Sequence, residues 1–237
     1  MLEFHTKMYA MCLVVIRTSH IMLFPVQSTM SRRDVVFLID GSDGSRLAFP
    51  AIRDFVRRVT ENLNVAENRD RVAVIQFSSD AFVHSLLNSY LTMGGIIKKI
   101  RGMRHKGGDP RNTGAALQFV RENVFTASRG SRQQEGVPQI LILLTGGPSS
   151  DSVTQPAMTL QQNGVVSLGI GTDVSSISMI PKDSSNIFAI NDFGDLPDKL
   201  QNVISTLNQF SIKVYGKYTP DKNFHIFVQH GGKSFDH

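Results

Sequence analysis

Most of this chain alternates between two hydrophobic patterns. In the first, short apolar runs carry no polar alternation: Asp34-Val-Val-Phe-Leu-Ile-Asp40, Arg71-Val-Ala-Val-Ile-Gln-Phe77, Gln139-Ile-Leu-Ile-Leu-Leu-Thr145 and Val165-Val-Ser-Leu-Gly-Ile-Gly171. Such runs suit strands buried on both faces, as in the middle of a parallel sheet. In the second, apolar residues recur at helical spacing. Phe49, Ile52, Phe55, Val56, Val59 and Leu63 make one stripe; Leu196, Leu200, Val203, Ile204, Leu207 and Phe210 make another. Pro50 falls where a first helical turn tolerates it.

Shorter elements lie between these. Ala81 to Leu87 reads as a short strand, so close behind Phe77 that the pair must be antiparallel. Leu91 to Ile100, Asn112 to Phe125, Val153 to Gln162 and Ser175 to Ile180 read as helices, and Asn186 to Ile190 as the last strand. Alternating buried strands and amphipathic helices predict an α/β fold. It is a doubly wound, mostly parallel six-stranded sheet with one short antiparallel strand and helices on both faces.

The pattern holds over residues 31–210 and fails on either side. Residues 1–30 contain an apolar stretch, Met8 to Ile16, of signal-peptide length and too short to span a bilayer. Arg17 and His20 follow it, so the segment reads either as signal-like or as a leader without a targeting role. Residues 211–237 hold two strand-like runs, Ile212 to Tyr215 and Phe224 to Val228, with no evident partner. They read as a flexible tail.

The 237 residues, 41% hydrophobic and 19% charged, leave room for one α/β domain and little disorder. A net charge of +5 raises the question of polyanionic partners. Arg53, Arg57 and Arg58 fall on one predicted helix, and Arg101, Arg104, His105 and Lys106 beside a glycine pair. Without aromatic interleaving or a nucleic-acid motif, these read as solvated faces, and nucleic acid is not an expected partner. The single Cys12 excludes an intrachain disulfide.

The first apolar run ends in Asp40-Gly-Ser42-Asp-Gly44-Ser45. In open α/β sheets, the loops at the carboxyl ends of the strands form the binding crevice, so Asp40 and Ser42 should both direct oxygens into it. A phosphate loop, a dinucleotide turn and a nucleophile elbow are all missing, which argues against an enzyme and a small-molecule substrate.

Several motifs then occur in a familiar order: DVVFLIDGSDGS, DRVAVIQFS, NTGAALQFVRENVF, LILLT and VVSLGIGT. Over roughly Arg33 to Phe210 the chain resembles the von Willebrand factor type A domain, and looks most like the N-terminal A domains of the collagen VI alpha-3 chain. The resemblance implies a secreted, non-enzymatic module of the extracellular matrix, acting in adhesion and assembly. Its implied partners are matrix proteins or other collagen VI domains; a membrane is not expected.

The resemblance also implies a metal-ion-dependent adhesion site, in which three loops place oxygens around Mg²⁺. Asp40 and Ser42 match the first loop, but its third ligand position is Gly44, with Ser45 one residue out of register. In the second loop Thr113 matches the helix start, and Arg111 occupies the ligand position. The third loop has Gly146 where the second carboxylate belongs. So incomplete a set leaves a hard dication underserved, and no cofactor is expected. Asp43 and Asp151, both nearby, read as solvated loop carboxylates. The alternative function is a metal-dependent adhesion domain binding protein ligands through Mg²⁺. With the ion missing, the Arg111 guanidinium either hydrogen-bonds Asp40, with Ser42 as a further acceptor, or points outward while Asp40 bonds loop amides.

Overall fold

A computed structural model describes residues 26–218, 224–230 and 233–235. Its strands are β1 (Val26–Met30), β2 (Asp34–Asp40), β3 (Arg71–Phe77), β4 (Ala81–Ser85), β5 (Gln139–Thr145), β6 (Val166–Gly171), β7 (Ile187–Ala189), β8 (Ile212–Tyr218), β9 (Phe224–His230) and β10 (Lys233–Phe235). Its α-helices are α1 (Phe49–Glu61), α2 (Met93–Arg101), α3 (Thr113–Asn123), α4 (Thr154–Gln162), α5 (Val174–Ile177) and α6 (Leu196–Gln209).

The expected six-stranded sheet forms in the order β4-β3-β2-β5-β6-β7. Only β4 runs antiparallel, against β3. The central strand β2 is buried along its whole length, and its side chains alternate between two cores. Val35, Phe37 and Ile39 pack with residues of α1, α2 and α6 on one face. Val36 and Leu38 pack with residues of α3 and α4 on the other. That two-sided burial is why the run has no polar alternation.

The charged residues at the start of β2 are buried as well, in a network at the amino end of the sheet. Arg33 donates from Nε and Nη2 to the two oxygens of Asp70, at 3.1 and 2.8 Å, and from Nη1 to the Leu207 carbonyl of α6 at 2.7 Å. Arg132 grips Asp34 from Nε and Nη2 at 2.9 and 2.6 Å, and Gln139 Nε2 donates to the same carboxylate. Each buried charge thus meets an opposite one, the condition under which burial is tolerated. Arg33 ties the entry of β2 to the last turn of α6.

At the ends, the strand-like runs that showed no evident partner in the sequence are paired. β8 pairs with both β1 and β9, and β10 with β9, all antiparallel, in a four-stranded sheet of order β1-β8-β9-β10. The partner of β8 lies near the other end of the chain, within the segment read as leader. A strand's pattern encodes which faces are apolar, not which strand it joins, so this pairing left no local signal. The signal-like stretch Met8 to Ile16 lies outside the described residues. Among those described, no helix is long and apolar enough to cross a membrane.

Candidate functional site

β2 delivers Asp40 to the carboxyl end of the sheet, where its side chain is inaccessible to solvent. One carboxylate oxygen, Oδ1, accepts the Ser42 backbone N–H at 2.9 Å. The other, Oδ2, accepts the Gly146 N–H at 2.9 Å and Nε of Arg111 at 2.6 Å. Arg111 also donates from Nη2 to Ser42 Oγ at 2.9 Å and from Nη1 to the Pro148 carbonyl at 3.3 Å. Of the two placements open to Arg111, the structure has the one in the crevice, and Asp40 bonds loop amides too.

The guanidinium fits because its neighbours lack side chains. A Cβ at Gly44 would lie 3.2 Å from Nη2, and one at Gly147 only 2.8 Å from Nη1. Asp40, Ser42, Gly44, Arg111 and Gly146, drawn from three separate loops, therefore meet in one place. Ser45 lies beside it, its hydroxyl against the carbonyls of Asp40 and Ser42, both at 2.9 Å. Thr113, the buried first residue of α3, directs its N–H to Ser149 Oγ at 3.1 Å.

The two loop carboxylates are engaged elsewhere. Asp43 pairs with Arg46, whose guanidinium holds its carboxyl below the usual carboxylate range, helped by the Gly108 amide. Asp151, read from sequence as a solvated carboxylate, accepts the N–H groups of Gly114 and Ala115 at 2.8 and 2.7 Å. It caps α3, where unpaired N–H groups and the helix dipole favour an anion. Its nearness to the crevice therefore reflects a local structural role. As arranged, the crevice offers a cation one carboxylate, both of whose oxygens already accept N–H donors.

His105 joins the site without having been singled out from sequence. Its Nε2 lies 3.0 Å from the Ser42 carbonyl and 3.2 Å from Ser45 Oγ, and its ring meets Phe49 edge-on. A carbonyl only accepts, so Nε2 is the donor in that contact; Nδ1 is buried without a hydrogen-bond partner among the described residues. A histidine within a basic loop gives no sequence signal for this contact, which joins loops far apart along the chain. Among the described residues, no group of three or more His, Cys, Asp or Glu side chains is placed to hold a metal ion.

Comparison with known proteins agrees with this architecture. The family model for the von Willebrand factor type A domain matches residues 34–204. The mouse collagen alpha-4(VI) chain is 33% identical over 176 residues, covering 72% of this chain and 8% of the relative. The human collagen alpha-6(VI) chain is 31% identical over 198 residues, covering 80% and 9%. The chain thus spans under a tenth of the length of these two relatives. Among solved structures, proximal thread matrix protein 1 of the mussel byssus superposes with a TM-score of 0.70 at 25% identity, covering 76% of this chain and 49% of that one. Another structure of that mussel protein carries zinc in its metal-ion-dependent adhesion motif.

Proposed function

This chain belongs to the von Willebrand factor type A domain family, and from that premise we propose that residues 31–210 are a non-enzymatic interaction and assembly module of the extracellular matrix, with an adhesion crevice that works without a metal ion. Its relatives are matrix and adhesion proteins: collagens VI and XII, von Willebrand factor and a nematode transmembrane cell adhesion receptor. By that kinship the module is secreted and binds matrix proteins or other collagen VI domains through surface complementarity.

The metal-free part of the reading rests on the position of Arg111. Mg²⁺ requires near-octahedral oxygen ligation and gives up its waters reluctantly. Here the guanidinium meets Asp40 and Ser42, the two residues that match the ligand pattern. It carries a fixed positive charge at the spot a dication would need, and like charges so close repel strongly in a partly desolvated crevice. On this reading the donor set does not fit a divalent ion.

The second reading is adhesion through Mg²⁺, favoured by the zinc-bearing motif of the mussel protein. Calorimetric titration of the full chain with Mg²⁺, Mn²⁺ and Zn²⁺ separates the two, together with binding to immobilised collagen VI with and without EDTA. The metal-free module shows no saturable heat with any ion and binds equally in EDTA. Micromolar ion binding, or adhesion abolished by EDTA, overturns it in favour of the second reading.

A further inference from the structure

The two edges of the six-stranded sheet carry opposite charge. From Ala81, which opens the edge strand β4, to Gly108 the chain has no acidic residue, but it has Lys98, Lys99, Arg101, Arg104 and Lys106. Among the described residues only Arg101 finds a carboxylate, Glu61 at 3.8 Å. Lys106 lies over the Phe82 ring at 3.5 Å from its centroid. Burial, and then the charges of Lys99 and Lys106, push His84 of this strand down to about 4. Phe82 and Val83 are 41% and 37% exposed.

At the β7 edge the sign reverses. From Gly164 to Leu200 the chain has Asp173, Asp183, Asp192, Asp195 and Asp198 against Lys182 and Lys199, with no arginine. Hydrogen bonds from Ser175 and Ser176 hold Asp173 below the usual carboxylate range, and those from Ser185 and Asn191 do the same for Asp183 and Asp195. Asp173, Asp183 and Asp192 also cap short helical turns, which explains the residue type but leaves each charge in place. A groove of about 420 Å³ opens here, lined among others by Val174, Ile190, Asp195, Asp198 and Lys199. Val174 and Met179 are 50% and 45% exposed.

We propose that the β4 edge of one copy of this chain docks on the β7 edge of a second copy, with Lys99 and Lys106 facing Asp195 and Asp198 and Phe82 entering the groove. The inference rests on the assembly-module reading and gives it a partner. Two edges of opposite charge, each with two exposed apolar side chains, are complementary to one another and not to themselves. The contact is therefore head-to-tail, and each added copy leaves one edge of each sign open. The overall charge of +5 opposes this only weakly, because at physiological ionic strength charges beyond about 8 Å are largely screened while facing pairs are not.

Sedimentation velocity over a concentration series tests it on the full chain. Wild type should associate at physiological salt, and raising the salt toward about 1 M should disperse it. Lys99→Glu with Lys106→Glu, and separately Asp195→Lys with Asp198→Lys, should each weaken association at least about tenfold, since like charges then face each other. An equimolar mixture of the two variants should recover it, because their reversed edges match. Melting curves confirm that both variants fold. A monomeric wild type, unchanged variants, or a mixture without recovery overturns the edge contact. Collagen VI binding on the same samples keeps the readings apart: a monomer that still binds loses only the edge contact, whereas loss of collagen VI binding counts against the module.

Discussion

Arg111 reaches across from the second loop and seats Nε 2.6 Å from Oδ2 of Asp40, whose carboxylate is fully buried while the guanidinium is 15% exposed. The pair closes the carboxyl end of the central strand with a charge the chain itself supplies. A double-mutant cycle on Asp40→Asn and Arg111→Leu, followed by denaturant unfolding, is expected to give a coupling of about 1–3 kcal/mol. A value below about 0.5 kcal/mol would show the two residues to be independent.

Restoring the family's ligands should be harder than sequence suggests. A Cβ at Gly146 would lie 3.0 Å from Phe193 Cε2 and 3.5 Å from Asp40 Oδ2. Gly146→Asp alone is therefore expected to cost more than about 2 kcal/mol, through crowding and a second carboxylate beside the first. Added to Gly44→Ser and Arg111→Thr, it should give a protein whose melting temperature rises with Mg²⁺ concentration, as binding to the native state requires. Wild type should melt at the same temperature with Mg²⁺ or EDTA. A triple variant indifferent to Mg²⁺ would show that these three positions do not control the site.

The network at the opposite end of the sheet should matter more for stability. Arg33 and Asp70 are both buried, with side chains 1% and 0% exposed. Arg33→Met would strand the Asp70 carboxylate and release the last turn of α6, at an expected cost of about 3–5 kcal/mol. Replacing both partners, as Arg33→Met with Asp70→Leu, should cost less than the single change. Equal losses for the single and double variants would contradict the pairing.

His84 gives stability an acid-side slope. Its imidazole is pushed down to about 4 by burial first and then by Lys99 and Lys106. The unfolded chain takes up that proton near 6.5, the folded chain only near 4, so stability should fall as pH drops from 6.5 to 4 and then level off for this group. Partial exposure of the ring limits the effect to the order of 1 kcal/mol. His84→Gln should flatten unfolding free energy over that window; an unchanged slope would assign it to other groups.

The limits 31 and 210 can be tested by trimming. The two cores on either face of the six-stranded sheet are built from residues between Val35 and Phe210, and no strand pair links the two sheets. A chain cut to 31–210 is therefore expected to melt at the wild-type midpoint. About 1 kcal/mol shifts a domain of this size by roughly 2–4 °C, so a fall of several degrees would place those limits too far inward.

Much of this molecule was legible in its pattern. An unbroken apolar run such as Val35 to Ile39 has one stable home, a strand covered on both faces, and the stripe from Phe49 to Val59 has one stable face to bury. Those constraints are local, and the alternation of elements then leaves few sheet orders available. The carboxylate at the end of β2 could likewise be read from position alone. Tertiary structure decided what local pattern does not encode. It chose between an outward and an inward Arg111, because only the folded loops bring Gly44 and Gly147 close enough to leave a guanidinium-sized gap. It turned Asp151 into a cap for α3, buried Arg33 against Asp70, and found β1 as the partner of β8. Each of these joins residues far apart in sequence, and a charge's partner, unlike a strand's apolar face, leaves no period along the chain.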